Sequence, residues 1–217
     1  MKPIILINFK TYKETAGDKA LQLARKIAQV KSRYEIIIAP PTLSLKEVCQ
    51  KAKIKCFAQH VDYRNYGSNT GRIIPIELKK LGCQGVIINH SEHRLPLEII
   101  KKTVEACKKK KLTTIVCATN LSKIKKVAAF KPDYIAYEPQ KFIGGNISVT
   151  EAKPEIIPKA VRLVKKLSPK TKLLVGAGVH SKKDLGEALL LGAEGVLVGH
   201  AVPKAKDPKK FLKELLS

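Results

Sequence analysis

Residues 133–153 read DYIAYEPQKFIGGNISVTEAK and contain one strand-to-helix unit whose parts recur along the chain. The run Tyr134 to Tyr137 is apolar over the length of a buried strand, and it stops on an acid, Glu138, followed by Pro139. A carboxylate is thereby placed where a strand leaves its sheet. Ile143, Gly144, Gly145 and Asn146 then form a glycine-containing loop, able to hinge or to bring backbone N–H groups close to an anion. Helical spacing resumes only near Pro154, so the connection is long and has the proportions of a lid. The plainer alternative is an ordinary connection that begins with an exposed Glu.

Seven further apolar runs lie on either side of this one. The full set of strand candidates is Ile4–Asn8, Ile36–Ala39, Cys56–His60, Gly85–Asn89, Thr113–Cys117, Tyr134–Glu138, Lys172–Gly176 and Gly195–Gly199. Each is nearly continuous in apolar residues instead of alternating, which indicates burial on both faces and a parallel sheet wrapped by helices. Helical spacing fills the intervals. Thr15 to Val30 sets Ala16, Ala20, Leu23, Ile27 and Val30 along one face, and Leu97 to Cys107 does the same with Ile100, Val104 and Cys107. Pro154 to Leu167 opens with Pro in the first turn and closes on a Lys pair, and Ser181 to Leu191 has a serine cap and stops at Gly192.

Eight strand-plus-helix units in 217 residues, with no linker or composition break, predict an α/β fold of one domain over 1–217: a closed (β/α)8 TIM barrel. An open doubly wound sheet competes, but no G-x-G-x-x-G follows the first strand. The amino-terminal apolar run is too short for a signal peptide or a membrane span, so a cytoplasmic protein without membrane contact is expected. The five cysteines are widely spread without a C-x-x-C pair, which predicts small buried apolar residues and neither disulfides nor a zinc site.

Lys plus Arg number 42 against 18 Asp plus Glu, a formal charge of +24. A nucleic-acid binder would gather this charge on one face and interleave aromatic residues. Here Lys is spread through almost every helix and aromatics are 5% of the chain, so no specific nucleic-acid partner is expected and steering of a phosphorylated small molecule is favoured.

In a barrel of this kind chemistry gathers at the carboxyl ends of the strands. Asn8 ends the first, with Lys10 close behind and able to hold an anion, unless it is a plain surface lysine. Gln59-His60 ends the third and leads through Asp62 into a polar loop, Gly67 to Arg72, long enough to reach another subunit. Asn89-His90 ends the fourth. Ser91 reads as the cap of a short helix holding Glu92, His93 and Arg94, whose dipole would keep His90 neutral and able to donate a hydrogen bond to a carbonyl. A structural histidine is the competing reading. Glycines follow the seventh strand (Gly176-Ala177-Gly178) and the eighth (Gly199-His200), where backbone N–H groups approach phosphates in this fold.

The ordered stretches INFKTY (7–12), AQHVD (58–62), SNTGRI (68–73), NHSEHR (89–94), YEP (137–139), AKPE (152–155), GAGV (176–179) and LGAEGVLVG (191–199) resemble the triosephosphate isomerase family, in its short archaeal type. The resemblance implies an isomerase interconverting glyceraldehyde 3-phosphate and dihydroxyacetone phosphate, with no metal or organic cofactor. Carried over by position, it makes Glu138 the base, His90 the neutral electrophile, and Asn8 and Lys10 the active-site asparagine and lysine. It makes Gly144, Gly145, Gly178, Gly199 and His200 the phosphate side. Glu92 matches the acid after the family's histidine, and Thr70 the third-loop threonine that supports a neighbouring subunit, with homodimers or homotetramers implied. The departures are Gly144-Gly145-Asn146 for Gly-Thr-Gly in the lid, His180 for serine or threonine, Gly199-His200 for a small pair, and Asn69 and His93 for a histidine and a basic residue. These altered loops leave open another phosphorylated sugar as substrate, or a barrel that only binds anions or nucleic acid.

Overall fold

A computed structural model describes residues 2–139, 150 and 154–217. The strands β1 (Ile4–Asn8), β2 (Glu35–Ala39), β3 (Lys55–Ala58), β4 (Gly85–Ile88), β5 (Thr113–Ala118), β6 (Tyr134–Tyr137), β7 (Lys172–Val175) and β8 (Gly195–Val198) close into a barrel in chain order. Every pair is parallel, and β1 lies between β2 and β8, with Ile4 beside Glu35 on one side and Gly195 on the other. Among the described residues eight α-helices surround it: α1 (Asp18–Ala28), α2 (Thr42–Lys51), α3 (Pro75–Lys80), α4 (Leu97–Lys109), α5 (Leu121–Ala128), α6 (Ile156–Leu167), α7 (Lys182–Leu190) and α8 (Pro208–Leu216). None is long and apolar enough to cross a membrane.

Alternation along each strand divides the apolar side chains into two sets. Ile4, Leu6, Ile37, Phe57, Ile87, Ile115, Ala136, Leu174 and Leu197 fill the barrel interior, while Ile5, Ile7, Ile38, Val86, Val116, Ile135 and Val196 face the helices. Two glycines make this geometry possible. At Gly195 φ is +145° and a Cβ would fall 2.1 Å from the Ile4 carbonyl oxygen, so only glycine lets β8 approach β1. A Cβ on Gly85 would meet the Phe57 ring at 2.5 Å and the Thr113 carbonyl at 2.6 Å.

Several expected boundaries move. Gln59-His60, Asn89, Glu138, Gly176 and Gly199 lie just past their strands instead of ending them. The last rung of the ladder still ties two of them: Glu138 N–H donates to Ala118 O and Gly176 N–H to Tyr137 O, both at 2.9 Å. The helix expected over Thr15 to Val30 is divided. A 3-10 turn, Lys13–Thr15, is followed by Gly17 at φ +55°, which breaks the helical path and leaves Ala16 exposed, and α1 starts at Asp18. The helix expected from Pro154 begins at Ile156, after a turn. Ser181 caps α7 as expected, with Asp184 completing a reciprocal capping box. All five cysteines are free; four are buried and Cys49 is half-buried.

Candidate active site

The inward parity of the strands sets the next layer above the barrel core. Tyr134 and Ala136 point inward, so Glu138 does too; Leu174 is followed on the same face by Gly176, and Leu197 by Gly199. Glu138, Gly176, Leu197 and Gly199 line one cavity at the carboxyl end of the barrel, together with Lys10, His90, Gly178, His180 and His200. Lys10, His90, Glu138, Gly178, Gly199 and His200, all singled out in the sequence, therefore share one space. Gly144 and Gly145 of the expected lid lie outside the described residues.

Glu138 is 1% exposed, and His90 Nε2 stands 3.5 Å from its Oε1. Burial pushes the carboxyl up to about 7, against the Cys117 thiol and the Lys10 charge, which favour the anion. Its Oε2 is buried without a hydrogen-bond partner among the described residues. Gly176 makes room for this side chain. A Cβ there would lie 2.5 Å from Glu138 Cγ.

His90 is 7% exposed, and burial pushes it down to about 4, with Lys10 acting in the same direction and Glu92 against it. The expected helix over residues 91–94 is not formed. The chain makes a turn there, closed by His93 N–H donating to His90 O at 2.8 Å, and the Ser91 hydroxyl has no partner among the described residues. Neutrality thus comes from desolvation instead of a helix dipole. The turn nevertheless sets the tautomer, because Glu92 N–H donates to His90 Nδ1 at 3.2 Å. With Nδ1 accepting, the proton sits on Nε2 and faces the cavity.

Lys10 has a left-handed backbone, φ +48°, uncommon for a side-chain-bearing residue. Asn8 stabilises it: its Oδ1 accepts the Lys10 N–H at 3.0 Å. Asn8 is 4% exposed and positions Lys10 without lining the cavity itself. Gln59 holds the other side of the same peptide, with Nε2 donating to Lys10 O at 3.1 Å and Ala39 O at 2.9 Å. The ammonium reaches Glu92 Oε1 at 2.6 Å. Burial alone would lower the Lys10 pKa, but the Glu92 contact, with Tyr12, holds it above its ordinary value. The cavity therefore keeps a fixed cation on the same wall as a buried carboxyl.

Sequence reasoning placed Gln59, Asn89 and Gly176 at strand ends but did not read their positioning roles. Asn89, at φ +62°, donates to Cys117 O at 2.9 Å and accepts from Leu95 N–H at 2.9 Å, bracing the loop that carries His90. Strand-end amides at inward parity were the available signal. The third loop stands on a pinned base, where Asp62 takes the Ile73 N–H at 2.9 Å and Arg72 at 3.0 Å, and its Thr70 is exposed. His60 stacks on His93, with ring centroids 4.2 Å apart. Among the described residues no three His, Cys, Asp or Glu side chains are grouped to hold a metal.

The sequence profile described as triosephosphate isomerase matches residues 3–215. The chain is 41% identical over 218 residues to a triosephosphate isomerase of Methanothermus fervidus, covering 100% of this chain and 98% of that one. It is 42% identical to that of Methanocaldococcus jannaschii, covering 98% of each, and 39% identical to that of Saccharolobus solfataricus, covering 99% and 95%.

Proposed function

This chain belongs to the triosephosphate isomerase family, and from that premise we propose how its residues interconvert glyceraldehyde 3-phosphate and dihydroxyacetone phosphate. Glu138, as carboxylate, removes a proton from the carbon beside the substrate carbonyl and returns it to the neighbouring carbon. His90 donates from Nε2 to the carbonyl oxygen as negative charge develops there, and Lys10 balances the charge of the enediolate. The two carbons exchange oxidation state through proton movements alone, so electrons balance without an external oxidant. The observation that carries this reading is the 3.5 Å approach of a neutral, Nε2-protonated His90 to Glu138.

Gly178, Gly199 and His200 line the same cavity as Glu138 and are assigned here to the phosphate. Gly144 and Gly145, outside the described residues, are assigned to phosphate binding by the family resemblance. The soluble family and the lack of a membrane-crossing helix among the described residues support a cytoplasmic enzyme. The exposed third loop supports self-association as a homodimer or homotetramer. A coupled assay of the purified protein with glyceraldehyde 3-phosphate tests the reaction; no turnover above the Glu138→Ala variant would refute it.

A further inference from the structure

The fold gathers cations that the sequence scatters. Each helix runs back to the amino end of the next strand, and the connections there are short, as from Lys51 to Lys55, Lys109 to Thr113 and Leu167 to Lys172. The last turns of the helices therefore meet at the pole opposite the cavity. Every helix from α1 to α6 has Lys or Arg in its last turn and α7 has none, so the basic side chains form an arc around most of that pole. Neighbouring sectors touch: Lys79 donates to Lys111 O, and Lys108 to the carbonyls of Phe130 and Lys131. We propose that this arc binds the phosphate backbone of double-stranded nucleic acid without regard to its sequence. The proposal does not depend on the isomerase reading, whose residues line the cavity at the other end of the barrel.

The backbone supplies the first reason. A cation in a last turn is favoured by the helix dipole, which would explain one lysine per helix. It does not account for the conformation that three further lysines adopt. After α3 and α7 the left-handed position is filled by glycine, Gly82 at φ +88° and Gly192 at φ +93°, as is common at helix ends. After α2, α4 and α5 a left-handed position is filled by Lys53, Lys111 and Lys131, at φ +52°, +54° and +54°, where a Cβ is disfavoured. All three are exposed. At three points of one surface, charge is kept against the local backbone preference.

The surroundings of these lysines select the partner. Acids that interrupt the arc are engaged, Glu35 by Lys55 and Glu47 by Lys51, each at 2.9 Å, and Asp133 by the Thr114 N–H and hydroxyl at 2.8 Å. No aromatic side chain is exposed on the arc among the described residues; Tyr34 is buried and Phe130 and Tyr134 are half-buried, so the bases of a single strand find no stacking platform. Leu167 is the one large apolar side chain exposed there among the described residues, too little to enter a membrane, and Leu190 lies outside the arc on α7. Short turns and helix ends do not reach into a groove. What remains is contact between lysine ammonium groups and phosphates, which positions a duplex without reading it.

Fluorescence anisotropy with labelled DNA duplexes of two unrelated sequences tests this on the whole protein. Both should bind alike, with Kd about 10⁻⁵ M at 100 mM salt. About four to six phosphate contacts imply a loss of affinity of about a hundred- to a thousandfold between 50 and 200 mM salt. A variant combining Lys53→Gly, Lys111→Gly and Lys131→Gly should unfold at higher urea than the parent, yet bind about tenfold more weakly, its salt slope reduced by about one for each lysine that touches phosphate. Asn at the same three positions, which also tolerates this backbone, serves if the glycine variant does not fold. Removing equal charge near the first turns of α1, α5 and α6, with Lys19→Ala, Lys123→Ala and Lys159→Ala, should leave affinity within about twofold of the parent. Absence of duplex binding at 50 mM salt, or equal weakening in both triple variants, overturns the proposal. Tighter binding to the single strand, or to phosphatidylserine vesicles, than to the duplex overturns it as well.

Discussion

His90 Nε2 and Glu138 Oε1 are 3.5 Å apart with both side chains almost sealed from solvent. One cause, desolvation, moves them in opposite directions, the imidazole to about 4 and the carboxyl to about 7. Above pH 7 the pair is therefore one anionic base and one neutral donor, the combination that proton transfer beside a carbonyl requires.

Glu138→Gln keeps the shape of the base and removes its proton affinity. Turnover should fall about 10²- to 10⁴-fold, the share a general base supplies, with KM changed far less. Steady-state kinetics with glyceraldehyde 3-phosphate measure it.

The base acts only when ionised, so kcat/KM of the wild type should fall as pH drops through about 7. His90, at about 4, adds no second step in the neutral range. A profile that stays level down to pH 5 would contradict the Glu138 assignment.

The same shift bears on stability. Glu138 binds its proton more tightly folded than unfolded, so its contribution is fully present below the unfolded value near 4.5 and is lost as pH rises through about 7. The wild type should lose about 3 kcal/mol from this group across that window. Glu138→Gln should lack the slope and exceed the wild type in urea stability at pH 8.

Gly176→Ala tests the space behind the base. The added methyl would sit 2.5 Å from Glu138 Cγ, so the carboxylate must shift. Since φ at Gly176 is not positive, the backbone accepts alanine and the effect is steric. Turnover should drop about a hundredfold, as for an ångström-scale misplacement, while circular dichroism shows an intact fold.

Gln59→Ala removes the donors to Lys10 O and Ala39 O. The loss should destabilise the mouth by about 1–3 kcal/mol. With the strained Lys10 backbone released, KM should rise more than kcat falls.

Continuous apolar runs made much of this legible beforehand: eight of them indicated strands buried on both faces and hence the closed barrel, and Glu138, stopping the run Tyr134 to Tyr137, marked a carboxylate at a strand exit. What escaped depends on contacts between distant segments. Nothing near Gly176 in the sequence reveals that Glu138 needs its missing side chain, and nothing near Gln59 reveals that it holds a peptide 49 residues away. The His90 segment misled because Ser91 looks like a cap, while in the fold the chain must turn back over Asn89 toward Leu95.

The tight seam at Gly195 has a consequence for how the molecule is made. Of the eight barrel strands Ile4–Asn8 is synthesised first, yet one of its two neighbours, Gly195–Val198, is synthesised last. Until Gly195–Val198 arrives, β1 is an apolar ribbon with one edge unsatisfied, open to pairing with another nascent copy.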